Sequence, residues 1–291
     1  MWFSILGWFF TVLAILGNAL VTYLIITKTR LHVTTNWFVL SLALADLCVG
    51  LTYFPLLFIS SFFQELSIDH QGLWFKLSHT FLYSSSSNLC ALTADRFLAI
   101  TMPLKYTVFM TRKRRLIIFL ASAWIAPLIL FTLPSIFTYS SNSASFTFIF
   151  EIFRVSVFQL IPSVLFVFVT GRLCYIARDI SRKESLLLAQ IRFNFKPAQQ
   201  NAPTVKKHRE KTAAVKMIVL IILLFVLCHV GGNYRCFCFV FKLCAASENL
   251  KSVIHVLFII NSAANPLVYA VLKKDMQNEL KRMALDIGCH C

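Results

Sequence analysis

The sequence predicts an all-α integral membrane protein, a bundle of seven transmembrane helices, on three observations. First, it is 58% hydrophobic and only 14% charged over 291 residues, where soluble domains run at about 45–50% apolar and about 25% charged. Second, seven stretches are apolar over the roughly 20 residues that a helix needs to cross a bilayer. Third, the lysines and arginines gather on one side of those stretches. An apolar excess of this size does not fit in one soluble core, so residues 1–291 read as a single membrane domain.

The spans fall at about 3–27, 35–61, 72–101, 114–138, 149–177, 213–241 and 252–272, and a polar, basic segment follows at about 274–286. The first begins Met1-Trp2-Phe3-Ser4. It lacks the basic start of a secretory signal and is too long for a signal's apolar region, so it is expected to span. Almost nothing then precedes it, and no N-terminal ligand-binding domain is expected. The connection from about 178 to 212 is polar and basic, with Pro197 and Pro203. It is expected to be a flexible loop with a helical extension at each end.

Of the 28 lysines and arginines, only Lys76, Arg154, Arg235, Lys242 and Lys251 lie on the side that holds the N-terminus. The positive-inside rule then places the N-terminus outside and the tail in the cytoplasm. The net charge of +16 thus faces anionic lipid and cytoplasmic partners. No segment interleaves basic and aromatic residues as a nucleic-acid surface does, so no nucleic-acid partner is expected. The nine cysteines form no CxxC pair and no zinc-type cluster. No nucleophile–base constellation stands out, so no enzyme is expected.

Ionisable groups inside spans are costly and point to function. Asp46 lies midway along the second span with no base near it in sequence. It is either an acid hydrogen-bonded for packing or the centre of a site with Asn18, Ser84 to Ser87, Asn88, Asn261, Ser262 and Asn265, whose oxygens suit a small hard cation such as sodium. Asp95-Arg96 closes the third span, either as a surface pair or as a switch in which Arg96 changes partner. Pro162 and Pro266 each remove a helix hydrogen bond in their spans.

Taken in order, one per span, these features resemble the rhodopsin-like (class A) G-protein-coupled receptors. They are Gly17-Asn18, Leu44-Ala45-Asp46, Asp95-Arg96-Phe97, Trp124, Pro162, Phe225 with Cys228, and Asn265-Pro266-Leu267-Val268-Tyr269. The stretch Asp95 to Tyr106 is most similar to amine, trace-amine and adenosine receptors. The resemblance implies a short cytoplasmic eighth helix over Lys273 to Leu285 and a plasma-membrane location. It implies coupling to a heterotrimeric G protein through Asp95, Arg96, Asn265, Pro266 and Tyr269 as the sixth helix swings outward. It further implies a sodium pocket of Asp46, Ser85, Asn261, Ser262 and Asn265, with arrestin and receptor kinases as further partners. Cys289 or Cys291 either carries palmitate or stays unmodified.

The chain also departs from that pattern. The position of the amine-binding aspartate holds Ser78, so a classical biogenic amine is not expected. The retinal lysine's position holds Ile259, so light sensing is not expected. The usual outer disulfide is absent, with Gln71 at one end and no cysteine at 139–149. Cys236, Cys238 and Cys244 either bridge locally or are buried thiols, the second being favoured. His229 and Gly231 replace the tryptophan and proline usual in the sixth helix, and Thr170 replaces a tyrosine of the fifth. His229 either titrates near neutral pH and makes activation pH-sensitive or bonds a neighbouring helix, the second being favoured. The pocket candidates Ser78, His79, Tyr83, Phe158, His229, Asn233 and His255 are aromatic and neutral-polar, which favours a small neutral or weakly polar ligand, or a lipid. The competing reading is a divergent seven-helix protein that does not signal by itself and serves as a partner of another receptor.

Overall fold

The computed structural model describes residues 2–62, 68–101, 112–140, 144–194, 203–241 and 247–288. All regular structure among them is helical. α1 is Trp2–Thr27, α2 Thr34–Phe62, α3 Ile68–Thr101 and α4 Arg112–Ser140. α5 runs on through Ala144–Val155, a π-helical turn at Ser156–Leu160, and Ile161–Asn194. α6 is Pro203–Phe241, α7 Glu248–Leu272 and α8 Lys274–Gly288.

These sequences form helices because, without water, only a helix satisfies every backbone group within one segment. At 1.5 Å per residue the 26 residues of α1 reach about 39 Å, more than the roughly 30 Å of bilayer hydrocarbon. The outward stripe of α1 carries Ile5, Phe9, Val12, Leu16 and Leu20. Its buried stripe carries Gly7, Thr11, Ala14, Asn18 and Val21. Small and polar groups inside, with bulky apolar ones outside, is the pattern of a helix packed in lipid.

Among the described residues six helices are long and apolar enough to cross a membrane, namely α1, α2, α4, α5, α6 and α7. The sequence suggested seven. α3 falls short because Ser78, Thr80, Ser84, Ser85, Ser86, Asn88 and Thr93 dilute its apolar content, and all of them are buried. Its polar side chains turn into the bundle rather than toward lipid. The helices close into a ring: α1 packs on α2 and α7, α2 on α3, α3 on α4 and α5, α5 on α6, and α6 on α7. A main core cluster built around Leu24, Phe38, Leu92, Ile222 and Phe225 fills the half that carries Tyr269. A smaller one around Tyr53, Phe54 and Phe258 fills the other half.

The helical extensions expected between α5 and α6 are long. α5 reaches Asn194 and α6 starts at Pro203, so the connection narrows to 195–202, which lies outside the described residues together with Pro197. Pro203 suits a first helical turn because its missing N–H has no partner to lose there. Pro162 follows the π turn directly. A proline cannot donate to the carbonyl four residues back and its ring crowds that carbonyl, and the wider turn relieves both. The π turn buries Phe158 and Gln159 against the bundle.

Candidate functional site

The buried polar groups form a chain along the bundle axis, beginning at Asp46. Its carboxylate is fully buried. Ser85 of α3 donates to one oxygen at 2.5 Å, and Asn265 of α7 donates to the other at 2.8 Å. One acid thus ties three helices together. Asn18 of α1 extends the tie by donating to the carbonyls of Ala14 at 2.9 Å and Ser262 at 3.1 Å. Among the described residues the buried Tyr269 hydroxyl has no hydrogen-bond partner, and the buried Ser262 hydroxyl faces the Asp46 carboxylate. The oxygens of Asp46, Ser85 and Ser262 make a donor set that fits a small hard cation, and Asn261 and Asn265 are buried beside them in α7. A second network joins α2, α3 and α4: Trp124 donates to Ser41 at 2.9 Å, and Ser41 donates to Asn88 at 2.7 Å.

Toward the basic end of the bundle, Asp95 is buried and holds the Arg96 guanidinium, with Nε 3.0 Å from Oδ2 and Nη2 closer still. Two N–H groups of the guanidinium converge on that one carboxylate oxygen, which orients its plane as a lysine's ammonium would not. Pro266 sits inside α7, against Gly17 of α1. α8 seats Met276, Leu280 and Met283 on the core while Lys281 and Arg282 stay exposed.

His229 lies between the two halves. Its ring stacks on Phe225 with centroids 3.9 Å apart and meets Phe258 at 5.1 Å. Its Nδ1 lies 2.9 Å from the Phe225 carbonyl of its own helix, while Nε2 has no partner among the described residues. This corrects the expectation of a bond to a neighbouring helix. A carbonyl only accepts, so Nδ1 carries the proton. Gly231 and Gly232 do not break α6. Their missing side chains let α7 approach, since a Cβ would stand 2.9 Å from Ile254 and 3.0 Å from Phe258.

Beyond His229 a cavity of about 400 Å³ opens among α2, α3, α5, α6 and α7. Of the pocket candidates, His79, Tyr83 and His255 line it. Phe158 backs Tyr83 at 5.0 Å between centroids. Ser78 instead turns onto its own helix, donating to the Phe75 carbonyl at 2.8 Å, and Asn233 donates to Ser163 at 3.0 Å. Among the lining residues not singled out from the sequence are Tyr53, which pairs with His255 at 2.8 Å, and the two arginines Arg154 and Arg235. The lining thus joins two arginines to the aromatic and neutral-polar groups. The arginines were visible in the sequence as two of the five exceptions to the charge asymmetry.

Cys238 is disulfide-bonded and Cys236 is free. The favoured reading of both as buried thiols therefore fails for Cys238. Cys244, Cys289, Cys291 and the side chain of Gln71 lie outside the described set.

Residues 17–269 match the family described as 7 transmembrane receptor (rhodopsin family). The chain belongs to the rhodopsin-like receptors. It is thus a multi-pass membrane receptor and not an enzyme. Among curated relatives it is 26% identical to octopamine receptor beta-1R of Drosophila melanogaster, over 94% of this chain and 59% of that protein. It is 27% identical to octopamine receptor beta-2R of Chilo suppressalis, over 93% of this chain and 76% of that one. It is 28% identical to adenosine receptor A2a of Cavia porcellus, over 94% of this chain and 70% of that one. The chain thus spans less than two thirds of the Drosophila relative. In this rhodopsin-like receptor Ser78 is folded back on its helix and Arg154 and Arg235 stand in the cavity lining.

Proposed function

We propose that this receptor resides in the plasma membrane with its N-terminus outside, binds a small extracellular ligand, and activates a heterotrimeric G protein by outward movement of α6. α3 is then the seventh membrane crossing, and α8 lies along the cytoplasmic face. The observation that carries the reading is the Asp46 carboxylate, bonded at once to α3 and α7. It couples the helix bearing Asp95-Arg96 to the helix bearing Asn265-Pro266 and Tyr269. A shift of α7 breaks or reforms these bonds, and the buried Tyr269 hydroxyl, partnerless among the described residues, is available to bond in a second state. Arg96, released from Asp95, would then face the G protein. Sodium, if bound, would be held by Asp46, Ser85 and Ser262 with Asn261 and Asn265 beside them, and would supply positive charge that holds the carboxylate ionised. Arrestin and receptor kinases would share the cytoplasmic face, with membrane lipids around the bundle.

The test is a panel of G-protein activation sensors in cells, one per α-subunit class, comparing the wild type with Arg96→Ala. Basal or ligand-driven activation that the substitution removes supports the proposal. A wild type that reaches the cell surface yet activates no sensor overturns it. That result would favour the second reading, a receptor partner without signalling of its own, which His229 motivates: its ring stacks on Phe225 and meets Phe258 at a tilt, where the family carries a tryptophan.

A further inference from the structure

We infer that the cavity beyond His229 takes a small, flat, uncharged ligand with a cyclic-amide edge, an N–H beside a C=O, which pairs with the Gln159 side chain. This names a ligand class for the receptor proposed above, and it depends on that reading only for its consequence in signalling. Gln159 sits in the π turn of α5. It is only 5% exposed, yet it lines the cavity. Among the described residues no group hydrogen-bonds its amide. A buried amide without partners is costly, so it marks where a ligand is to bond. Gly232 of α6 lies against it, and a Cβ there would stand 3.2 Å from Gln159 Oε1. The bare glycine leaves the amide its place at the cavity wall.

A primary amide carries an acceptor and a donor side by side. The edge that satisfies both at once is a second amide with N–H and C=O on the same side, as in a lactam ring. An ammonium would satisfy only the oxygen, and a carboxylate only the nitrogen. Two imidazoles add to the site from α3 and α7. His79 Nδ1 lies 2.9 Å from the Phe75 carbonyl and donates to it, so Nε2 of the neutral ring is left as an acceptor. With the Tyr53 hydroxyl donating to His255 Nδ1 at 2.8 Å, the neutral ring keeps its proton on Nε2 as a donor. Leu82, Tyr83, Ile254 and Phe258 supply an apolar wall for the ring. Of the charged lining residues, Arg235 is exposed, and Arg154 is engaged with the Phe131 ring at 4.6 Å and the Tyr83 ring at 5.8 Å. The pairing needs neither.

The test is thermal stabilisation of the full purified chain in detergent by four two-ring probes. They are 2-quinolone, which carries the edge, N-methyl-2-quinolone, which has lost the N–H, quinoline-2-carboxylate, an acid, and tetrahydroisoquinoline, an amine. 2-Quinolone should stabilise at concentrations about tenfold or more below the other three, the loss expected when a buried amide is left unpaired. Gln159→Met, of equal length without donor or acceptor, should bring 2-quinolone to the level of its N-methyl form and leave the latter unchanged. No stabilisation by 2-quinolone, stabilisation by any other probe at equal or lower concentration, or an unchanged preference for the N–H in Gln159→Met each overturns the inference. If Gln159→Met does not fold, the order of the four probes on the wild type still decides. Binding of 2-quinolone without activation of any G-protein sensor would support the inference and count against the receptor proposal. Signalling by a wild type that ignores 2-quinolone would overturn the inference and leave the receptor proposal standing.

Discussion

Lys273 stands at the joint between α7 and α8, where its ammonium donates to Asn36 Oδ1 and lies 3.9 Å from an Asp275 carboxylate oxygen. Burial, opposed by Asp275 and aided by Arg96, lowers its pKa to about 8. Because the native pKa is below the unfolded one, both states are protonated below about pH 8 and the cost of the buried charge is fully present. From there to the ordinary lysine range the unfolded chain binds more protons, so stability rises with pH. The gain is up to roughly 3 kcal/mol at about 1.36 kcal/mol per pKa unit. In detergent melts the Tm of wild type relative to Lys273→Met should climb by a few degrees between pH 8 and pH 10, and a flat difference would remove this account. Asp46 gives a second residue-scale prediction. Exchanging sodium chloride for choline chloride at equal ionic strength should lower the Tm of the wild type but not of Asp46→Asn. A wild type indifferent to the exchange would end the sodium proposal.

At the scale of elements, the contact between α1 and α7 depends on one missing side chain. A Cβ at Gly17 would stand 2.9 Å from Pro266 Cβ and 3.0 Å from its Cγ. A proline ring cannot swing aside, so the helices must part. Overpacking of this kind costs about 1–3 kcal/mol. Gly17→Val should therefore lower the Tm by several degrees and strain the bond from the neighbouring Asn18 to the Ser262 carbonyl. Gly72→Ala, where a Cβ meets nothing within 4 Å, should be neutral or slightly stabilising. Equal losses in both variants would show that the close approach at Gly17 is not the cause. The π turn in α5 belongs to the same scale. Pro162 was legible as a helix disturbance, yet the form of the relief, with Phe158 and Gln159 turned inward, depended on the neighbouring helices.

Across the whole molecule, ring closure gives each helix one face toward lipid and one toward the other helices. The proposed orientation, drawn from the charge asymmetry, gives a prediction at this scale. An epitope placed before Met1 should stain on intact cells, and one placed after Cys291 only after permeabilisation. Staining in the opposite order would reverse the orientation and move the cavity to the cytoplasmic side. The ring also explains α3: its serines and Asn88 are tolerable because α2, α4 and α5 surround it. Apolarity alone marked the other six helices and fell short for this one.

The sequence by itself determined that this chain lives in a membrane, where its helices run, and which polar residues are too costly to face lipid. Asp46, Asn88, Arg96 and Asn265 stand out for that reason, because hydrocarbon penalises an unsatisfied polar group wherever the fold puts it. Composition does not say how each helix is rotated about its axis or which neighbour it meets. Only the tertiary structure decided that Ser78 bonds its own backbone, that His229 stacks on Phe225, and that Cys238 rather than Cys236 is bridged. It also turned Arg154 and Arg235, which had counted only as exceptions to a charge rule, into the wall of a cavity. A side chain's place on a helix is local information, whereas its partner depends on packing between segments far apart in the chain.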